Sequence, residues 1–280
     1  MNRPDYNSPA ELKKILEQNG FSMQKKFGQN FMLNPAARKK IASLLDIKKD
    51  DTVWEIGPGL GCMTAEFLDS GAKVRAFEID RGFVNLLHQI FSKEEINSRF
   101  CITEGDVLKT WKKEYDSFEN KSSIKLAGNL PYNIAATFIA GTIQESCIFE
   151  RCVFTVQKEV AERICASPSS PNYSAFSVLC QYTYDVTPSI ELAAGNFWPK
   201  PNVASKAVLL CRKKNPYKCS NPKLFTKVVH TLFLSRRKTI LNNIKPLIPG
   251  GGNANLIFEK AGFSSSLRAE NLSVGQFITL

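Results

Sequence analysis

Short strand-like runs recur along the middle of the chain, at 52–56, 73–79, 100–103, 124–128, 151–156, 185–192 and 206–211. Between most of them, near 62–70, 81–92, 134–145, 157–166 and 173–183, apolar residues fall at helical spacing instead. The pattern therefore predicts strands alternating with helices, which argues for a mostly parallel sheet with helices on both faces. Ahead of this region, Ser8-Pro9-Ala10-Glu11 reads as a capping box with Pro at the first helical position. It predicts a short helix ending near Asn19-Gly20. A basic stretch, Gln24 to Met32, comes next, and Asn34-Pro35 starts a helix to about Leu45. After Arg212-Lys213-Lys214-Asn215-Pro216 only helical patterns remain, near 222–234, 237–244, 252–261 and 268–277. The expected division is an α/β domain over 1–214, with a helical extension at about 8–45, and a small all-helical domain over 215–280.

Charge sharpens that division. Of the net +11, the segment from Cys211 onward carries twelve Lys/Arg against Glu259 and Glu270, leaving the first 210 residues near neutrality. A neutral body with a basic helical tail points to a polyanionic partner, the alternative being a solubilising surface. The 43% hydrophobic content supports a real core. No apolar run approaches a membrane span and nothing at the start resembles a signal peptide. Asp5, Glu11 and Glu17 also argue against a transit peptide, so the expected location is cytoplasmic. The eight Cys form no C-x-x-C pair and His88 and His230 stand alone, so no metal site is expected. Most of the Cys are expected to be reduced core thiols.

Candidate chemistry concentrates at strand ends. Val53-Trp54-Glu55-Ile56-Gly57-Pro58-Gly59-Leu60-Gly61 is a strand running into a glycine-rich turn, which lets backbone approach a ligand at a helix start. The spacing is G-x-G-x-G, with Cys62 where a dinucleotide fold wants its third Gly. That disfavours NAD and suits the E-x-G-x-G turn of S-adenosylmethionine (SAM) enzymes. Glu78 ends the second strand, where an acid would accept from ribose hydroxyls, or would merely cap the next helix. Asp106 follows the third strand, where it could accept from an adenine amine or serve as a turn residue. Asn129-Leu130-Pro131-Tyr132 follows the strand at 124–128. An amide beside a stacking ring suits a flat base with an exocyclic amine; the plain alternative is a Pro-stiffened strand-to-helix turn.

Taken together, these residues resemble the KsgA family of bacterial small-subunit rRNA adenine N6,N6-dimethyltransferases, from about Phe21 to Leu280. The anchors are Gly28-Gln29-Asn30-Phe31, Glu55-Ile56-Gly57-Pro58-Gly59, Glu78-Ile79-Asp80, Gly128-Asn129-Leu130-Pro131-Tyr132 and Gln157-Lys158-Glu159-Val160. Phe197-Trp198-Pro199-Lys200-Pro201-Asn202-Val203 and Arg236-Arg237-Lys238-Thr239 complete them. The resemblance implies a Rossmann-like methyltransferase domain with a seven-stranded sheet. It also implies SAM contacts at Asn30, Met32, Gly57, Glu78, Asp106 and Asn129. The family usually has Leu at position 32. Ala175 replaces a common Gly, and Ala204 stands where Asp is frequent; these departures bear on local loop geometry. The implied substrate is a pair of adjacent adenines in a hairpin loop near the 3′ end of 16S rRNA, on a small ribosomal subunit or its precursor. S-adenosylhomocysteine is the other product, and a monomer suffices.

Such chemistry needs little acid–base help. An adenine N6 lone pair is delocalised into the ring, and two acceptors aimed at its hydrogens would expose it. The Asn129 side-chain oxygen and the Leu130 carbonyl are suited to this, with alignment supplying much of the rest. The base must leave its stack. Tyr132 can stack on one face, and Phe197 could hold the other or be a core anchor. Pro131 stiffens the turn. Arg236, Arg237 and Lys238, at the start of a helical pattern, are expected to hold phosphates, with Lys25 and Lys26 doing similar work near the pocket. Three rivals stand against this reading. One is a large-subunit, resistance-type rRNA adenine methyltransferase; the others are a non-catalytic nucleic-acid-binding factor and an NAD oxidoreductase.

Overall fold

The computed structural model describes residues 1–21, 30–130, 132–248 and 253–280, with the backbone alone at Tyr132 and Asn133. Helix α1 (Pro9–Gln18) is capped by Ser8, whose hydroxyl accepts from the Glu11 N–H at 3.3 Å. The Glu11 carboxylate accepts from Asp5 N–H (3.1 Å). Strand β1 (Phe31–Met32) leads to α2 (Pro35–Leu44), capped by Asn34 through Ala37 N–H at 3.1 Å.

The alternating region opens with β2 (Thr52–Ile56), α3 (Cys62–Asp69), β3 (Lys73–Glu78), α4 (Arg81–Ile90), α5 (Ser92–Ile96) and β4 (Phe100–Glu104). Next come α6 (Val107–Ser117), β5 (Lys125–Asn129), α7 (Tyr132–Gln144), β6 (Arg151–Gln157) and α8 (Lys158–Ile164). It closes with α9 (Ala175–Thr183), β7 (Tyr184–Leu192), β8 (Phe197–Trp198) and β9 (Ser205–Arg212). The short α5, helix α6 and the β1–β8 ribbon are absent from the strand and helix pattern of the sequence. In α6, Val107, Trp111 and Tyr115 bury one stripe of an otherwise charged segment. The ribbon is antiparallel, pairing Phe31 with Trp198 and Met32 with Phe197.

The main sheet has seven strands in the order β4-β3-β2-β5-β6-β9-β7. β4, β3, β2, β5 and β6 run parallel, and β9 lies antiparallel to β6. The chain builds outward from β2 through β3 to β4, then returns to lay β5 on the other side. This reversal makes the carboxyl ends of β2 and β5 a topological switch point, where open α/β sheets bind ligands. Central strand β2 is buried on both faces, as a parallel strand covered by helices must be. Trp54 packs against Phe77 and Phe149, with ring centroids 4.9 and 5.6 Å away. Val53 joins the cluster of Leu60, Phe67, Leu68 and Phe83.

The chain forms two compact units. One is Met1–Phe138, Ile148–Ala161 and Thr187–Cys211; the other is Ile139–Cys147, Glu162–Val186 and Arg212–Leu280. The second therefore takes in stretches that precede the boundary drawn near 214. It contains α10 (Pro222–Phe233), α11 (Ile240–Ile244), α12 (Ala254–Ala261) and α13 (Val274–Thr279). Helix α13 starts later than the sequence pattern indicates, because a 3-10 turn at Ala269–Asn271 precedes its Ser273 cap. Within this unit Phe233 stacks on Phe277 and meets Tyr173 edge-on, and the Tyr173 hydroxyl donates to the Leu272 carbonyl (2.9 Å). All eight Cys are free thiols, but only Cys62, Cys147, Cys152 and Cys180 are buried, so the core-thiol expectation holds for half of them. Among the described residues no helix is long and apolar enough to cross a membrane.

Candidate active site

The glycine turn after β2 forms the floor of a cleft at the switch point. Gly57 (φ +67°) and Gly59 (φ +57°) both lie in the left-handed region, where a side chain is strained. A Cβ on Gly59 would come within 2.8 Å of the Phe31 ring, so glycine there lets β1 close over the turn. A Cβ on Gly57 would meet nothing within 4 Å, leaving its backbone bare toward the cleft it lines.

Glu78, at the end of β3, turns its buried carboxylate back onto this turn. One oxygen accepts from Gly59 N–H (3.2 Å), the other from Ile79 and Asp80 N–H (2.9 and 3.0 Å). Burial pushes its pKa up, and these backbone donors partly oppose the rise. Glu55, on β2, lines the same cleft and is wholly buried. Burial raises its pKa to about 8, against the 2.6 Å hydrogen bond donated by the Thr64 hydroxyl, with the Glu78 charge adding to the rise. Burial thus favours the protonated form of Glu55.

Asp106 caps α6, accepting from Leu108 N–H at 3.0 Å, and faces the cleft beside Gly105. Asn129 ends β5 opposite Thr155 of β6. Its side-chain Nδ2 donates to the Asn30 carbonyl at 2.9 Å. A carbonyl oxygen only accepts, so this contact fixes which end of the amide is which and turns Oδ1 away from Asn30. Leu130 is held by its N–H on the Thr155 carbonyl (3.1 Å). Its side chain covers Gly128, where an added Cβ would come within 3.0 Å of it. The cleft thus gathers Asn30, Met32, Gly57, Glu78, Asp106, Asn129 and Leu130 from five separate stretches of chain.

Residues 20–280 match the ribosomal RNA adenine dimethylase family. The chain belongs to this family. It is 47% identical to the ribosomal RNA small subunit methyltransferase A of Treponema denticola, covering 99% of this chain and 94% of that one. The protein of the same description from Treponema pallidum is 41% identical, over 99% and 96% of the two chains. A dimethyladenosine transferase from Plasmodium falciparum, known as a crystal structure, superposes with a TM-score of 0.72 at 25% identity, over 88% and 94%. This dimethylase is accordingly a SAM-dependent rRNA adenine methyltransferase with a Rossmann-like fold.

The cleft of the dimethylase fits such a donor. Glu78 supplies a buried acceptor at a strand end, the Gly57 backbone is open, and Met32, Ile56 and Val107 give apolar walls. Other expected residues lie elsewhere. Phe197 is 3% exposed and belongs to the hydrophobic core through the β1–β8 ribbon; it does not line the cleft. As placed it is the packing anchor, and stacking on a base would require it to leave that position. Arg236, Arg237 and Lys238 do not begin a helix: they form an exposed turn after α10, and α11 starts only at Ile240, capped by Thr239. Arg236 is paired with Glu270 at 2.8 Å. Lys25, Lys26, Pro131 and the Tyr132 side chain lie outside the described residues. The Ala204 carbonyl accepts from Lys158 N–H (3.0 Å), a backbone contact indifferent to the side chain at 204. The sequence reading placed Glu55 in the E-x-G-x-G turn but gave it no role of its own, although an acid inside the buried run Val53–Ile56 is itself a signal that its charge is costly there.

Proposed function

We propose that the protein transfers methyl groups from SAM to N6 of two adjacent adenines in a 3′-terminal hairpin loop of small-subunit rRNA. It does so on the small subunit or a precursor, in the cytoplasm, as a monomer. The observation that carries this reading is the Asn129 amide, whose Nδ2 donates to the Asn30 carbonyl, so that Oδ1 is the end that would accept from a substrate amine. SAM supplies an electrophilic methyl on a sulfonium centre. The protein's part is binding and orientation. Gly57, Glu78, Asp106, Asn30 and Met32 hold the donor, Glu78 and Asp106 by accepting hydrogen bonds. Asn129 Oδ1 and the Leu130 carbonyl accept from the two N6 hydrogens and localise the nitrogen lone pair toward the methyl. Such preorganised acceptors act in a water-poor site, where their effect is largest.

The amine proton becomes acidic only after the new bond forms, so no strong base is required. The target adenine reaches the site by leaving its stack, with Tyr132 behind Pro131 as its stacking partner. Phe197 would contribute a second stacking face only after moving out of the core. The basic helical region at 215–280, with Arg236, Arg237 and Lys238, and the Lys25-Lys26 pair hold rRNA phosphates. The support for this is the charge asymmetry of the chain and the exposure of the 236–238 turn.

The deciding experiment transfers labelled methyl from SAM to unmethylated small and large ribosomal subunits separately, and identifies the product nucleoside by mass spectrometry. Dimethyladenosine on the small subunit alone is the expected result. Label on the large subunit would move the enzyme to the resistance-type branch, and SAM binding without transfer to either would favour a non-catalytic role.

A further inference from the structure

Arg38, on α2, is 4% exposed, and every nitrogen of its guanidinium is engaged. Nε donates to Glu66 of α3 at 3.0 Å. Nη1 donates to the carbonyls of Leu33 (2.6 Å), Met32 (3.1 Å) and Tyr6 (3.4 Å), and Nη2 to the Asn7 side chain (2.9 Å). Tyr6 and Asn7 lie ahead of residues 20–280, the part matched by the family. One buried cation thus ties together the N-terminal segment, the end of β1 and the helix that follows the glycine turn. The planar fork of Arg suits several fixed acceptors at once, and a buried charge used this way specifies geometry more than it stabilises.

What it fixes lies next to the reacting groups. β1 is two residues long, and besides its pairing with β8 it is held by Arg38 on the carbonyls of Met32 and Leu33. Asn30 directly precedes it, and the Asn30 carbonyl sets the Asn129 amide. If the segment 30–33 shifts, that amide is free to rotate, presenting Nδ2 in place of Oδ1. We propose that Arg38, braced by Tyr6 and Asn7, is a positioning residue for methyl transfer, holding the Asn30 carbonyl where it aims the acceptor end of Asn129 at the target amine. The inference rests on the role given to Asn129 above. It separates from a purely structural role because the effect of Arg38 must pass through Asn129.

The test is a double-mutant cycle on the full chain: wild type, Arg38→Met, Asn129→Ala and the pair. Single-turnover transfer to small subunits is read at saturating SAM, together with SAM affinity by calorimetry and Tm. Arg38→Met is expected to slow transfer by about tenfold while changing SAM affinity less than about threefold. In the Asn129→Ala background it should change the residual rate by less than about twofold, because the interaction it serves is already gone. An equal loss in both backgrounds, or an unchanged rate in the single variant, overturns the proposal. Arg38→Lys covers a failure of Arg38→Met to fold. It keeps charge and stem but cannot span these acceptors together, so a reduced rate is expected and a wild-type rate overturns the proposal. Wild-type enzyme that transfers nothing to either subunit would instead overturn the assignment of function.

Discussion

Asn129 concentrates the proposed chemistry in one oxygen atom. Asn129→Ala should leave SAM affinity within a few-fold of wild type, yet slow transfer by about two orders of magnitude, the usual consequence of deleting a preorganised polar partner. Calorimetry and methyl-transfer rates would show this, and a near-normal rate would remove Asn129 from the mechanism. Glu55 offers a second test at this scale. Folded, it keeps its proton up to about pH 8, whereas an ordinary glutamate loses it near 4.5. Across that window the folded state binds more protons than the unfolded one, so stability falls as pH rises and levels off above the folded value. Glu55→Gln removes this ionisation and should therefore lose less Tm than wild type between about pH 5 and pH 8. Parallel Tm curves for the two proteins would show that the Glu55 carboxyl is not held neutral. Glu78 and Asp106 were legible in the sequence because acids at strand ends stand out. The raised pKa of Glu55 was not, since it depends on how completely the surrounding chain excludes water.

At the scale of elements, the glycine turn and the β1–β8 ribbon depend on one another. Gly59→Ala would force a left-handed backbone on a side chain and press its Cβ into the Phe31 ring. The backbone strain alone is about 1–2 kcal/mol. The ring contact should in addition push β1 off the turn, so a lowered Tm and a weaker rise in Tm on adding SAM are expected. A Tm and SAM response equal to wild type in differential scanning fluorimetry would show that the turn tolerates both. The parallel strands and most helices were readable from periodicity. Helix α6 carried a legible signal, Val107, Trp111 and Tyr115 at four-residue spacing behind the Asp106 cap, but its many charges masked it. The ribbon had no comparable signal: two-residue strands show no period, and the partners of Phe31 and Met32 lie far along the chain. The Arg236–Lys238 turn was misplaced for a related reason, because Thr239, rather than the basic run, supplies the cap of α11.

At the scale of the whole molecule, charge asymmetry points to a polyanionic partner, and salt dependence measures it. Replacing Arg236, Arg237 and Lys238 by Gln should weaken binding to the small subunit and reduce the slope of log affinity against log salt by about 2–3. The lower figure applies if the pairing of Arg236 with Glu270 persists in the complex. An unchanged slope across a potassium chloride titration would place these side chains away from the RNA. The sequence by itself determined the alternation of strands and helices, the glycine turn, the strand-end acids, Asn129 and the basic C-terminal region. These are local matters, written in periodicity, turn chemistry and residue type within short windows. Only the tertiary structure decided that Phe197 is core, that burial raises the Glu55 pKa, that the Asn30 carbonyl orients Asn129, and that Arg38 ties the N-terminal segment to the edge of the cleft. Each of these depends on which distant residues exclude water from a group or present it with a hydrogen-bond partner, and a linear pattern does not encode that three-dimensional neighbourhood.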